Sequence, residues 1–353
     1  MKNFNNNIRK VKPYIPGEQP QEINVIKLNT NENPYPPSPN ILEVLKTIND
    51  DCLRLYPDPE SKILVKALAD FYNLNENQVF VGIGSDDVLA MCFLTFFNSL
   101  NPIIFPDITY SFYNVWADLF NIPYKYSVLD KNFMIVKEDY FKENGGIIFP
   151  NPNAPTGLEM NISDIEDILM HNKDVIVIVD EAYVDFGSHS ALPLIKKYKN
   201  LIIVQTFSKS RSFAGVRIGY AMGDSELIES LNNVKHSFNS YTINQITLKL
   251  GVEVLKNKVY FLDTLKKIES TREWTKKELR KLGFFFQDSK ANFIFARHNI
   301  CPAKELFEAL RNQHIYVRHF ESARIHDYLR ISIGTQKQME TVVSFLKDYL
   351  EYR

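Results

Sequence analysis

The chain has 353 residues, 45% hydrophobic and 24% charged, which is long enough for two domains with ordinary globular cores. Its formal net charge of -1 excludes a general affinity for nucleic acid or for an anionic membrane surface. No run approaches about 18 apolar residues, and the start of the chain has no apolar core, so we expect neither a spanning helix nor a secretory signal. The three cysteines share no metal-like spacing, so we expect reduced thiols in a cytoplasmic protein, with no metal site.

The first two thirds of the chain alternate between helical and apolar stretches. A proline-rich loop at 31–40 is followed by helical periodicity and by the β-rich run VFVGIG. A helix at 86–97 and the run PIIFP come next. Further apolar strands are predicted at 146–149, 175–179, 201–204 and 218–222. Strands that are apolar throughout, with helices between them, indicate an α/β fold whose parallel sheet is buried on both faces.

The pattern changes after about residue 244. The charged, amphipathic stretch 246–282 is predicted as one long helix that leads into an α+β region. Strands of that region are predicted near 284–286, 292–296, 315–318 and 328–333. We therefore predict an N-terminal arm (1–30), a large domain (31–245) and a small C-terminal domain (246–353).

Polar motifs follow several predicted strands, at the edge of the sheet where ligands bind in α/β folds. In VGIGSDD, Ser85 and Asp86 begin a helix whose N–H groups suit a phosphate, although an ordinary capped helix has the same pattern. NPNAPTG predicts a stiff turn in which Asn153 offers an amide to a ligand hydroxyl; an ordinary turn is the alternative.

Two charged residues complete the pattern. Asp180 ends an apolar strand, where it would either cap the next helix or pair with a cation such as a protonated ring nitrogen. In QTFSKSRSFAGVRIGY, Lys209 lies between two serines and Arg217 follows; an exposed loop lysine is the alternative to an amine nucleophile. A phosphate cradle, a carboxylate for a ring nitrogen and an amine nucleophile together predict a pyridoxal 5'-phosphate site.

The turn NPN-x-PTG, the motif D-E-A-Y and the pattern S-K-x-x-x-x-A-G-x-R-x-G-Y occur here in that order. With them the chain resembles the fold-type I pyridoxal phosphate aminotransferases, most closely the histidinol-phosphate aminotransferases, from KPYIPG to LRISIGT. The resemblance implies a large domain with a mostly parallel seven-stranded sheet sandwiched by helices, plus a smaller α+β C-terminal domain.

The resemblance also implies roles for cofactor-binding residues. Lys209 would bind the cofactor covalently and move the proton at the substrate Cα, Asp180 would pair with the pyridinium nitrogen, and Tyr183 would hydrogen-bond the 3-hydroxyl. Tyr110 would stack on the ring. The phosphate would be held by Ser85, Asp86, Ser208, Arg217 and Thr206.

One position departs from the family pattern. The family often has Asn directly before PTG, in contact with the 3-hydroxyl, whereas this chain has Ala154. Either Asn153 reaches the hydroxyl or Tyr183 makes that contact alone.

For the substrate, the resemblance implies that Arg330 binds the α-carboxylate, with Asn29 nearby. Arg318 would bind the substrate phosphate, with Tyr14 at the same end. Tyr56 would be donated across a homodimer to the neighbouring cofactor phosphate, so the two active sites would be shared.

The implied function is amino transfer in histidine biosynthesis. The reaction interconverts histidinol phosphate plus 2-oxoglutarate and imidazole acetol phosphate plus glutamate. Two alternatives on the same scaffold are an aromatic amino acid aminotransferase and a threonine-phosphate decarboxylase. The ligand-sensing domain of a transcription regulator is a third, but this chain has neither the length nor the basic patch for a DNA-binding segment.

Overall fold

The computed structural model describes residues 4–352, whose strands form three sheets. The first three residues of the predicted arm and the last residue of the predicted small domain lie outside this range. The strands are β1 Ile26–Lys27, β2 Val79–Gly82, β3 Ile103–Pro106, β4 Tyr124–Ser127, β5 Ile147–Pro150, β6 Val177–Asp180, β7 Leu201–Thr206, β8 Gly219–Gly223, β9 Phe284–Phe286, β10 Phe293–His298, β11 Ile315–Tyr316, β12 Arg318–His319 and β13 Leu329–Ser332. The helices are α1 Asn40–Lys46, α2 Asp51–Arg54, α3 Lys62–Tyr72, α4 Gly84–Phe96, α5 Phe112–Phe120, α6 Ile162–His171, α7 Ser225–Phe238, α8 Gln245–Lys256, α9 Lys258–Lys281, α10 Ala303–Asn312 and α11 Gln336–Glu351.

The largest sheet has seven strands in the order β2-β8-β7-β6-β5-β3-β4, and every pairing is parallel except those of β8. The mostly parallel α/β architecture is therefore as the sequence predicts. In the register of β5, β6 and β7, Asp180 lies opposite Pro150 on one side and Val204 on the other. The carboxyl ends of these three strands thus meet at one edge of the sheet.

Strand side chains alternate between the two faces of this sheet. Val177 and Val179 pack into one hydrophobic core, whereas Ile178 packs into the core on the other face. Burial on both faces explains why β6 is apolar along its length. The edge strand β4 differs, since Tyr126 is exposed and the strand lacks the continuous apolar pattern that predicts a buried strand.

The predicted single helix at 246–282 is wrong, because two helices meet at Asn257. The side chain of Asn257 accepts a hydrogen bond from the backbone N–H of Tyr260 (3.1 Å) and donates to Ser38 Oγ (2.8 Å). An asparagine that bonds to nearby backbone favours a cap over the interior of a helix. The charged periodicity on its two sides therefore belongs to α8 and α9.

A four-stranded antiparallel sheet, in the order β12-β13-β10-β9, lies in the C-terminal part of the chain. The predicted strand at 315–318 is two short strands, β11 and β12. β11 pairs in parallel with β1, which attaches the start of the chain to this region. The domain boundary at residue 245 stays a prediction, and α8, just after it, packs against α3. No helix in the range 4–352 is long and apolar enough to cross a membrane.

Gly219 lies close to the backbone of Gly84 and Ser85, and a substitution at Gly219 tests this packing. A Cβ at Gly219 would lie 2.2 Å from the carbonyl carbon of Gly84 and 2.3 Å from the backbone nitrogen of Ser85, so the backbone would have to shift. Gly219→Ala should therefore lower the free energy of unfolding by about 1–3 kcal/mol in urea denaturation. Gly215→Ala is the matched control, because a Cβ there has nothing within 4 Å. Equal stability of the two variants would contradict the packing described.

Candidate active site

A cavity of about 460 Å³ lies at the carboxyl edge of the seven-stranded sheet. Its walls come from the loop after β1, from the ends of β5, β6 and β7, and from β12 and β13. Of the predicted site residues, those that line it are Tyr14, Asn29, Ser85, Asp86, Tyr110, Asp180, Tyr183, Ser208, Lys209, Arg217, Arg318 and Arg330. Asn153, Thr206 and Tyr56 do not line it.

Lys209 enters the cavity from the loop after β7. Its Nζ donates a hydrogen bond to the carbonyl oxygen of Thr30 (2.9 Å) and lies 5.9 Å from the ring centroid of Tyr183. The side chain is partly buried. A primary amine is thus held inside the cavity by a neutral acceptor rather than by a carboxylate.

Asp180, the last residue of β6, is buried at the floor of the cavity. Its Oδ2 accepts a hydrogen bond from the hydroxyl of Tyr113 (2.9 Å), and its Oδ1 accepts one from the backbone N–H of Ala182 (3.2 Å). Burial raises the pKa of Asp180 to about 6, although both hydrogen bonds act to lower it. The carboxylate is oriented but has no ion-pair partner among the described residues.

Asn153 and Tyr183, the two candidates for contact with the cofactor 3-hydroxyl, differ in their hydrogen bonds. Asn153 is buried, and its amide nitrogen donates to the carbonyl of Ile108 (3.0 Å) and to Thr156 Oγ1 (3.1 Å). Its amide oxygen accepts from Thr109 Oγ1 (3.0 Å), so the whole amide stabilises the turn. Tyr183 does line the cavity, and its hydroxyl accepts a hydrogen bond from Asn31 Nδ2 (2.9 Å).

A phosphate-sized cradle lies at the start of α4. The Arg217 guanidinium lies 3.5 Å from an Asp86 carboxylate oxygen and 3.4 Å from Ser208 Oγ. A Cβ at Gly84, whose φ is +80°, would come within 2.4 Å of Arg217 Nη2, so only glycine leaves room for this arginine. Thr206 lies behind the cradle and donates to Ser208 Oγ (3.0 Å).

Aromatic side chains form one wall of the cavity. The hydroxyl of Tyr110 donates to Asp86 Oδ1 (2.7 Å), and burial raises the pKa of Tyr110 well above its usual value. The ring of Tyr14 stacks on Phe112 with centroids 4.2 Å apart and lies 6.3 Å from that of Tyr110.

Two arginines lie directly opposite each other on the neighbouring antiparallel strands β12 and β13. Arg318 is the register partner of Arg330, and both line the cavity. Arg330 Nη2 donates to the carbonyl of Asn29 (2.8 Å), while its Nε is buried without a hydrogen-bond partner. Burial lowers the pKa of Arg330, and the neighbouring charge of Arg318 acts in the same direction. Neither arginine has an ion pair within residues 4–352.

Tyr56 lies outside the cavity, at the surface. Its side chain is 78% exposed and stacks on Tyr241 with centroids 4.5 Å apart. It lines a neighbouring hollow that shares Arg217 with the first cavity.

Sequence reasoning missed two residues that orient the site. Tyr113 holds Asp180 and Asn31 holds Tyr183, both through side-chain hydrogen bonds. Neither stands in a motif of chemically unusual residues: Tyr113 is one of 18 tyrosines and Asn31 lies in an asparagine-rich loop. The only signal for Asn31 is its position two residues before the dipeptide Asn33-Pro34, which marks a loop.

The residues present fit pyridoxal 5'-phosphate. The cradle offers a guanidinium, hydroxyls and helix N–H groups to a phosphate, and Asp180 offers a buried carboxylate that lacks a cation. Tyr183 offers a hydroxyl and Lys209 an amine from the same side of the cavity. No group of His, Cys, Asp and Glu suited to a metal ion occurs in the described part of the chain.

Residues 23–346 match the family model described as aminotransferase class I and II. A protein of Lactococcus lactis subsp. cremoris (strain MG1363), named histidinol-phosphate aminotransferase, is 52% identical over 348 residues. The matched region covers 99% of this chain and 98% of that protein.

Two solved structures share the fold. The histidinol-phosphate aminotransferase from Clostridium acetobutylicum superposes with a TM-score of 0.85 at 24% identity, over 93% of this chain and 100% of that chain. The histidinol-phosphate aminotransferase from Sinorhizobium meliloti, solved in complex with pyridoxal-5'-phosphate, gives 0.85 at 20% identity, over 93% and 91% of the two chains. The predictions of a fold-type I architecture and of an enzyme are thus confirmed, and the chain belongs to the class I and II aminotransferase family.

Proposed function

We propose that this aminotransferase exchanges the amino group between histidinol phosphate and 2-oxoglutarate, which gives imidazole acetol phosphate and glutamate in histidine biosynthesis. The observation that carries the proposal is the pair Arg318 and Arg330, opposite each other beside Lys209. The name of the relative from Lactococcus lactis, at 52% identity, supports the same substrate.

The arginine pair needs an anion. Like charges directly opposite each other on paired strands repel, and no carboxylate of the described residues offsets them. Histidinol phosphate carries a phosphate on the carbon next to its amino carbon, and glutamate carries a carboxylate there. Arg330 can hold the carboxylate, whereas the phosphate dianion can bind Arg318 as well, so one site serves both substrates through charge-assisted hydrogen bonds.

The cofactor of this aminotransferase is pyridoxal 5'-phosphate, which when bound supplies an electron sink for the electrons left on the substrate Cα. Arg217, Ser208, Ser85 and the first N–H groups of α4 would hold its phosphate. Tyr183 would bind its ring hydroxyl, since the amide of Asn153 is occupied in the turn.

Lys209 moves the proton at the substrate Cα. Its amine lies in the cavity and donates a hydrogen bond to the carbonyl of Thr30. This acceptor carries no charge, so the amine is not tied up in an ion pair. Asp180 holds a proton on the ring nitrogen, because a buried carboxylate without a cation favours a cationic partner. Tyr113 and the backbone of Ala182 fix the direction in which Asp180 faces.

We further propose a homodimer in which Tyr56 completes the cavity of the partner. Large apolar side chains near Tyr56 are exposed, including Leu53 (71%) and Leu55 (53%), as is Phe238 (71%). Leu53 and Leu55 border a hollow of about 700 Å³ that Arg217 also lines. An exposed apolar patch beside a ligand cradle is typical of a surface that another chain covers. A second copy of this chain that donates Tyr56 would bury the patch and add a hydroxyl at the cradle.

The cytoplasm is the proposed location. Cys52, Cys92 and Cys301 form no disulfide bond within residues 4–352, as expected in a reducing compartment.

Arg318→Ala tests the substrate. Loss of one charge-assisted contact should cost about 1.5–3 kcal/mol, so the KM for histidinol phosphate should rise roughly tenfold to a hundredfold. Steady-state transamination with 2-oxoglutarate measures this, and phenylalanine as amino donor should be affected much less. Arg297→Ala is the matched control, since Arg297 lies in the same sheet but does not line the cavity. Equal losses for both donors would make Arg318 structural, and release of carbon dioxide would replace the proposed reaction by a decarboxylation.

Subunit complementation tests the shared site. Tyr56→Ala and Lys209→Ala proteins are each expected to be nearly inactive. A mixed dimer contains one site with a native Tyr56 and a native Lys209, so mixing after mild dissociation should restore about a quarter of the parent activity. A fully active monomer in solution, or no gain on mixing, would exclude a Tyr56 contribution from the partner.

Asp180→Asn tests the buried carboxylate. The raised pKa means that the folded, cofactor-free chain holds a proton between about pH 4 and pH 6 that the unfolded chain has released, so its stability falls as pH rises through this range. The amide does not titrate, so the cofactor-free variant should be more stable than the parent by about 1–3 kcal/mol at pH 8, and by less at pH 5. Urea unfolding at the two pH values measures this.

With the cofactor bound, the parent should become the more stable of the two proteins. The variant should lose roughly a hundredfold in kcat and gain less stability from the cofactor than the parent, because a neutral amide holds no proton on the ring nitrogen. A variant that is less stable at pH 8 without cofactor, yet fully active with it, would show that Asp180 only caps the following turn.

A further inference from the structure

The loop that carries Lys209 is bent in a way that costs free energy. It leaves the sheet at Phe207 and returns at Ile218, whose carbonyl accepts a hydrogen bond from the N–H of Phe207 (3.0 Å). Within it, Ser212 has φ +60° and Arg217 has φ +62°. A left-handed conformation costs a non-glycine residue about 1 kcal/mol or more, and it persists only where the surroundings impose it. The loop therefore needs anchors.

Arg211 is one such anchor, and it is buried. Its guanidinium carbon lies 4.7 Å from the ring centroid of Phe71, 5.3 Å from that of Phe207 and 4.0 Å from that of Phe261. Only 3% of the residue is exposed, and its Nη2 has no hydrogen-bond partner. Aromatic faces stabilise a cation, but a buried charge also favours a nearby carboxylate.

Asp185 is a second anchor. Its Oδ2 accepts a hydrogen bond from Ser210 Oγ at 2.5 Å, and Ser210 stands between Lys209 and Arg211 in the chain. The charge of Asp185 also acts on Arg211. Asp185 belongs to the short 3-10 turn Val184–Phe186, which follows Tyr183 directly.

The hydrogen bond between Asp185 and Ser210 thus joins the two segments that face the cofactor site from different strands. One segment follows β6 and carries Tyr183, and the other follows β7 and carries Lys209. The backbone carbonyl of Ser210 is held as well, by Asn33 Nδ2 at 3.1 Å. Neither Asp185 nor Ser210 lines the cavity, so neither can touch a ligand there.

We propose that Asp185 is a positioning residue: by accepting the hydrogen bond from Ser210, next to the buried Arg211 in the chain, it holds the strained loop so that the Lys209 amine lies over the ring of Tyr183. The inference rests on the proposed role of Lys209 as the residue that binds the cofactor. Loss of the contact should let the loop relax, so that the amine reaches the cofactor less often.

The rate of cofactor attachment tests this without any turnover. Cofactor-free protein is mixed with pyridoxal 5'-phosphate, samples are reduced with borohydride at intervals, and the fraction of chains modified at Lys209 is read by intact mass and peptide mapping. Ser210→Ala and Asp185→Ala should each slow attachment about tenfold, the effect of one charge-assisted hydrogen bond on a positioned group. The double variant should be no slower than the slower single variant, because both remove the same contact.

Two further variants separate positioning from a general loss of structure. Asp185→Asn keeps an acceptor oxygen for Ser210 and should stay within about threefold of the parent. Ser188→Ala removes a serine hydroxyl from the same segment, where it donates only to the carbonyl of Val184 (3.1 Å), and should leave the rate unchanged. In steady-state assays the two slow variants should lose kcat with little change in the KM of the amino donor.

The results overturn the inference if Ser210→Ala attaches the cofactor at the rate of Ser188→Ala, or if the two single effects add in the double variant. Ser210→Ala leaves the Asp185 carboxylate and its charge in place, so it remains informative even where Asp185→Ala does not fold. A parent protein that carries the adduct on another lysine would instead refute the proposed role of Lys209, which keeps the two failures distinct.

Discussion

A carboxylate buried without a cation is the constraint on which the site depends. Asp180 ends a strand whose neighbours on both sides are apolar, so it lies where water cannot solvate its charge. Two hydrogen bonds, from Tyr113 and from the backbone of Ala182, fix its direction but do not neutralise it. Across the same cavity, the paired arginines Arg318 and Arg330 face each other without an anion. The cavity is therefore lined by a carboxylate and by two guanidinium groups that have no ion pair within residues 4–352, and a cofactor cation and a substrate anion would balance them. Hydrogen bonds from the surrounding structure hold these charged side chains in place, although their burial costs free energy.

The sequence predicts those parts of the fold that local composition determines. β6 and β7 are apolar because both faces of the sheet are covered, and such strands can be recognised without a structure. The cavity follows from the same pattern, since Asp180 and Lys209 come directly after two of these strands and parallel strands end at one edge. The motifs and the family resemblance add Tyr183 and Arg217, which line the cavity where expected.

What the sequence does not show depends on contacts between distant segments. The strand β4 is polar and exposed because it lies at the sheet edge, so it has no apolar signature. The break between α8 and α9 comes from a single side chain, Asn257, which bonds to backbone and to Ser38 more than two hundred residues earlier in the chain. The amide of Asn153 has three partners, of which Thr156 is in its own turn whereas Ile108 and Thr109 follow β3, and no motif reveals them. The facing arginines come from strand register, which sequence spacing alone leaves undetermined.

The pairing of β1 with β11 has a consequence for the order in which the molecule is assembled. The loop directly after β1 supplies the carbonyl of Thr30 to Lys209 and that of Asn29 to Arg330, so the start of the chain closes the cavity. β1 has its hydrogen-bonded partner only in Ile315–Tyr316, close to the end of the chain. During synthesis from the N-terminus, β1 leaves the ribosome long before β11 and must wait for it. Lys209 and the seven-stranded sheet can therefore be in place while the cavity is still open on one side, and a ligand can be enclosed only after β11 has been made.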